Sequence, residues 1–243
     1  MKHFMETSNT IPDGLGFKHF STEHIIELLV FAILSITICS LYRRSNNLSR
    51  RKLRTAISLL LILDELFKHI MLIIGGNWLP EYLPLHLCSI NLFLVAAHAF
   101  KPSKAMAGFL YCICLPAALA ALLFPNWNKL PILNFMRLHS LSVHMLLSIY
   151  PLMLLAGGEI DRKPRQIPKY LAILLGLAGI ALCANMMFDT NFMFLMYAPN
   201  NNPLKFFETT FGSHLVGFPI IISCMLLIMY FPLPHRKKLA VKS

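Results

Sequence analysis

The chain has 243 residues, of which 56 % are hydrophobic and only 14 % charged, and its mean hydropathy is +0.62. That balance excludes an ordinary soluble domain, whose surface needs more charge. The formal net charge of +11 would suit a nucleic-acid partner, but the basic residues fall in short clusters between apolar runs. There they read as topology signals, and a nucleic-acid partner is excluded as well.

The N-terminal segment, 1–23, opens as MKHFMETSNTIPDG and lacks the charged stretch and apolar run of a cleavable signal peptide, so the first span is expected to stay in the mature protein. Apolar runs follow at 24–42, 55–75, 83–100, 106–124, 138–156, 169–187 and 214–231. Each approaches the roughly 20 residues that a bilayer core requires. In hydrocarbon a backbone must satisfy its own hydrogen bonds, which selects helices. The reading is an all-α polytopic membrane bundle of about seven transmembrane helices in a single membrane domain, residues 1–243.

Lys and Arg set the orientation. One set of connections carries Arg43, Arg44, Arg50, Arg51, Lys52 and Arg54, then Lys101 and Lys104, then Arg162, Lys163, Arg165 and Lys169, and finally Arg236, Lys237, Lys238 and Lys242. The opposite set has Lys2, Lys18, Lys129, Arg137 and Lys205. The richer side is placed in the cytoplasm, with the N-terminus outside and the basic tail 232–243 cytoplasmic. The longest outside connection, 188–213, mixes aromatics with Asn and Pro and suits a segment packed at the membrane surface.

Polar side chains are costly within a bilayer, so their positions are informative. The third span enters as LPLHLCSINLF, where Cys88 and Asn91 share a helix face and His86 does not. In the fifth span Arg137, Ser140, His144 and Ser148 form a stripe at helical spacing. Asn185 and Asp189 are four apart near the outer end of the sixth, and His214 opens the seventh. Cys88 and His144 each lie five or six residues inside their spans, a depth of roughly 8 Å, near the ester carbonyls of phospholipid. A thiol there needs a base to take its proton, which a neighbouring His supplies. Asn185 or Asp189 would orient that His, and serines or backbone N–H groups at a helix start would stabilise an oxyanion.

The bland readings stand beside this one. A lone Cys in a membrane helix is more often a small packing residue than a nucleophile. His86 and His139 suit the membrane interface. The second span carries Asp64, Glu65, Lys68 and His69, and the i,i+4 spacing pairs Asp64 with Lys68. That knot is either an internal ion pair or part of a proton or ion path, with Glu65 the better candidate for facing the interior. The six cysteines all fall in apolar segments. Cys112 and Cys114 are two apart and poor joint metal ligands. No metal, nucleotide or other cofactor is implied.

At LPLHLCS, 83–89, the chain resembles the YwaF family of bacterial membrane proteins, which is related to transmembrane protein 164 of animals. The resemblance runs from the second span to the last and has a second point at NMMFDTNFMFLMY, 185–197. There Phe192 and Phe194 stand where tyrosines are common, and FGSHLVGFP, 211–219, replaces the family's Gly-Pro-Trp-type ending. The resemblance implies an acyltransferase moving fatty acyl groups between phospholipids, with Cys88 as the matching Cys, His144 as the matching His, and His139 as its alternative. It also implies the bacterial cytoplasmic membrane as location.

The leading expectation is therefore an acyltransferase or acyl hydrolase acting on phospholipid or lysophospholipid, with Cys88 and His144 catalytic and Asn185, Asp189, His139, Ser140 and Asn91 supporting. The alternatives are a transporter or channel using Asp64, Glu65 and Lys68, or a non-catalytic lipid-binding or assembly factor. Oligomeric state is not legible in the sequence.

Overall fold

The structure, a computed structural model, describes residues 2–199 and 202–230. The basic tail 232–243 lies outside the described residues. Those described are helical and contain no strand. The helices are α1 (Thr22–Arg44), α2 (Asn47–Ile74), α3 (Leu87–Phe100), α4 (Lys104–Phe109), α5 (Leu115–Leu123), α6 (Phe135–Ala156), α7 (Ile167–Phe188), α8 (Pro203–Phe211) and α9 (Gly217–Tyr230).

Local chemistry sets several boundaries. Glu23 in the first turn of α1 and Arg43 and Arg44 in its last complement the helix dipole. Asn46 caps α2 by accepting from the Ser49 N–H. Asn134 caps α6 by accepting from Met136 and Arg137, while its amide donates to the His3 and Glu6 carbonyls and ties down the N-terminal segment. Between α4 and α5 the chain makes a π-helical turn, Leu110–Cys114. Pro116 follows; it has no N–H and its ring crowds the carbonyl four residues back, which a wider turn relieves.

Helix α6 is the axis of the molecule and packs against α1, α2, α3 and α5. The core holds Leu61 of α2, Leu92 and Val95 of α3, Leu110 and Cys114 of the π turn, and Leu147 and Tyr150 of α6. By contrast, α1, α7 and α9 point large apolar side chains outward; Met187 is 75 % and Ile228 76 % exposed. Apolar outside with Arg137, Glu65, Lys68 and Asn185 buried inside is the arrangement that a hydrocarbon solvent demands.

Five helical stretches are long and apolar enough to cross a membrane: Thr22–Arg44, Pro80–Phe100, Lys104–Leu123, Phe135–Ala156 and Pro164–Phe188. A sixth arises if α8 and the stretch His214–Tyr230, bent by 118° at their junction, count as one span. The expected seventh is α2, which is long but interrupted by Asp64, Glu65 and Lys68. The bend follows from Gly212, whose φ of 75° places it in the left-handed region, where a side chain would be strained.

Candidate functional site

Cys88 lies in the first turn of α3. Pro84 disfavours helical backbone at Leu83, so the chain stays irregular until His86 and the helix starts late. His86 is the N-cap residue but makes no side-chain cap. Its Nδ1 instead accepts the Met193 N–H at 3.3 Å, which places the ring proton on Nε2. The N–H groups of Leu87, Cys88 and Ser89 are thus first-turn donors without a helical or capping partner among the described residues. They sit at the positive end of the helix, beside the thiol.

Cys88 is half-buried and packs against the core cluster that contains Ile57, Leu61, Cys114, Val143 and Leu147. Val143 and Leu147 bracket His144 on α6. Cys88 Sγ makes no hydrogen bond to His144 among the described residues. The expected equal depth from helix starts is corrected. Cys88 is the second residue of α3 and His144 the tenth of α6, because α3 begins late.

The His144 ring is fixed on two sides. Its Nδ1 lies 2.6 Å from the Ser140 carbonyl, which can only accept, so Nδ1 carries a proton and in the neutral ring Nε2 presents the lone pair. Trp127 stacks on the ring at 5.1 Å between centroids and 24° between planes. The orienting group is therefore the Ser140 backbone. Asn185 and Asp189, expected in that role, do other things. Asn185 is buried and staples the following loop: Oδ1 accepts from the Phe192 N–H at 2.6 Å and the Thr190 hydroxyl at 3.0 Å, and Nδ2 donates to the Phe192 carbonyl at 3.1 Å. Asp189 is exposed and ends α7 in the left-handed conformation. Met193 and Phe194 also have positive φ, so this loop is backbone-strained and held by Asn185 and His86. The Phe192 and Phe194 rings flank His86 at 5.3 and 5.8 Å.

The polar knot of α2 is rewired relative to expectation. Lys68 pairs with Glu65 at 2.5 Å, not with Asp64. Asp64 instead accepts from the Ser142 hydroxyl at 2.5 Å. His139 lies between the two carboxylates, 3.4 Å from Asp64 and 3.6 Å from Glu65, and His69 is 3.3 Å from Glu65. Lys68 also reaches the Tyr82 carbonyl at 3.4 Å. The knot thus pins α2 to α6. Helix geometry allowed both i,i+3 and i,i+4 pairs, and the position of α6 chose between them. Glu65 Oε2, His139 Nδ1 and, on α3, Asn91 Oδ1 are buried without a hydrogen-bond partner among the described residues. Among the described residues no three His, Cys, Asp or Glu side chains are grouped as a metal would need.

Two contributors were not foreseen, Trp127 and Ser142, nor were the partners of a third, Arg137. Trp127 comes from the α5–α6 loop, where a lone aromatic carries no periodic signal. Ser142 faces Asp64 although it lies off the expected stripe. Arg137, placed on that stripe, is fully buried and held by Glu27 at 2.6 Å and Glu23 at 2.7 Å, with its guanidinium 4.1 Å from the Phe17 ring centre. The two glutamates stand one turn apart at the start of α1, and that spacing was a readable signal for a shared cation.

The family model described as the TMEM164 family matches residues 19–230. No curated protein and no solved structure matches the chain.

Proposed function

The chain belongs to the TMEM164 family, and from that premise we propose that it is a membrane-embedded acyltransferase or acyl hydrolase acting on phospholipid or a similar lipid ester. The observation that carries the reading is the state of His144. With Nδ1 donating to Ser140 and the ring clamped by Trp127, Nε2 is the nitrogen that the neutral ring offers as a base on α6. Cys88 packs against the core cluster that includes Val143 and Leu147 of α6, and it stands at a helix start whose first-turn N–H groups have no capping partner among the described residues.

In this mechanism His144 Nε2 takes the Cys88 proton as the sulfur attacks the ester carbonyl carbon. The oxyanion forms against the first-turn N–H groups of α3. The carbon–oxygen bond then breaks, the leaving alcohol takes the proton back from His144, and an acyl-thioester remains on Cys88. A lysophospholipid hydroxyl, or water, attacks that thioester with His144 again accepting the proton, and the released sulfur recovers it. His139 and Asn91 support the site from its polar side. The orientation belongs to this proposal: seven crossings with α2 included, the N-terminus outside and the Arg-rich connections in the cytoplasm, in a bacterial cytoplasmic membrane.

The test is acyl-enzyme trapping. Purified protein is incubated with phospholipid carrying a tagged acyl chain, and hydroxylamine-sensitive label is measured in wild type, Cys88→Ala and His144→Ala. The proposal expects label in wild type and none in either variant, with all three folded. Equal label in all three, or none in wild type, sinks it.

The ion-path reading rests on the Asp64–Glu65–Lys68 knot. Its groups are engaged by Ser142, His139 and His69, an arrangement that a helix-pinning network explains without transport. Proteoliposome flux that is lost in Glu65→Gln would restore that reading.

A further inference from the structure

Four basic residues open α2, and the structure divides them into two pairs. Arg50 and Arg54 turn inward to the Glu159 carboxylate, at 3.4 and 2.8 Å, and Arg54 also donates to the Tyr42 hydroxyl at 2.8 Å. Arg51 and Lys52, on the adjoining face, are exposed and make no ion pair or hydrogen bond among the described residues. They stand at the rim of a groove of ≈ 450 Å³ between α2 and α3. Below them the wall is Thr55, Ala56 and Leu59, at helical spacing on one face of α2, and Phe100 closes the α3 side. Phe100 and Leu59 are 64 % and 47 % exposed. The small side chain of Ala56 makes the space; the charged rim gives the space a polarity.

We propose that this groove is a binding site for an anionic phospholipid, with the phosphate held by Arg51 and Lys52, an ester oxygen within reach of Thr55, and the upper part of an acyl chain lying on Ala56, Leu59 and Phe100. Charge complementarity selects the occupant. Two cations without a carboxylate partner among the described residues, next to an exposed apolar channel, match one anionic head group above a hydrocarbon tail. A zwitterionic head group would bring its own ammonium against Arg51 and Lys52. A soluble phosphate would leave the apolar wall uncovered. The site lies at the end of α2 away from Glu65, does not involve Cys88 or His144, and stands or falls independently of the acyl-transfer reading.

Purified protein in a neutral detergent is exposed to phosphatidylglycerol or phosphatidylcholine at equal concentrations, and occupancy of the first bound lipid is read by native mass spectrometry. Wild type is expected to hold phosphatidylglycerol at least tenfold more tightly. Arg51→Gln with Lys52→Gln weakens that binding roughly thirtyfold. Ala56→Trp keeps both charges but fills the groove, at an exposed position that tolerates bulk, and lowers occupancy as well. Arg162→Gln with Arg165→Gln removes the same charge elsewhere and leaves binding unchanged. The proposal is overturned by equal affinity for the two lipids in wild type, by equal losses in the two double variants, or by unchanged binding in Ala56→Trp.

Discussion

Removing either partner of the Glu65–Lys68 pair should damage the fold far more than removing both. The two side chains are 7 % and 6 % exposed and 2.5 Å apart. In Glu65→Leu the Lys68 ammonium keeps, among the described residues, only the Tyr82 carbonyl at 3.4 Å. In Lys68→Met the Glu65 carboxylate keeps His69 at 3.3 Å and His139 at 3.6 Å. A buried charge deprived of its partner costs about 3–5 kcal/mol. For a chain of this size each kcal/mol moves Tm by roughly 2–4 °C, so each single variant should melt roughly 6–20 °C below wild type. The double variant, with two apolar chains of similar volume, should lie within about 1 kcal/mol of wild type or above it. Thermal melts in detergent, followed by tryptophan fluorescence, read all four corners of the cycle. A double variant no more stable than the worse single would refute the account of the knot as a self-contained helix pin. The same proteins separate the functional readings: the acyl-transfer reading predicts that the double variant still labels at Cys88.

Other outcomes follow from single contacts. Trp127→Leu should slow acylation of Cys88 about tenfold, equivalent to about 1.4 kcal/mol of positioning, and single-turnover labelling beside a melt separates this from a general loss of stability. Arg137→Met leaves Glu23 and Glu27 facing each other at the start of α1 and should cost about 3–5 kcal/mol; adding Glu27→Gln should recover part of the loss, and no recovery would argue against the clamp. Asn185→Ala removes three hydrogen bonds that hold a strained loop, so amide exchange over 190–197 should accelerate at least tenfold while α6 is unaffected; unchanged exchange there would mean that His86 alone holds the loop.

The Cys88 and His144 candidates were legible because polar residues in apolar runs stand out, whatever their neighbours. Their surroundings were not. The i,i+4 rule offered Lys68 the choice of Asp64, and the helix itself permits that pair. It is α6, bringing Ser142 and His139 to Asp64, that leaves Lys68 for Glu65. Asn185 and Asp189 share a helix face in sequence, but α7 ends between solvent and loop, so one is buried as a staple and the other exposed. Seven apolar runs could be counted, yet the run on α2, 55–75, is interrupted by Asp64, Glu65 and Lys68, and α8 folds back at Gly212.

The amino-acid sequence by itself determined the solvent of this protein and the periodicity of its elements, because hydropathy and helical spacing are properties of consecutive residues. It also determined where polar groups enter the apolar runs. Only the tertiary structure decided which of those groups touch, which proton His144 carries, and why α3 begins with uncapped N–H groups beside Cys88. Those outcomes depend on contacts between residues far apart in the chain, such as Met193 with His86 and Trp127 with His144. Local spacing has no means of expressing them.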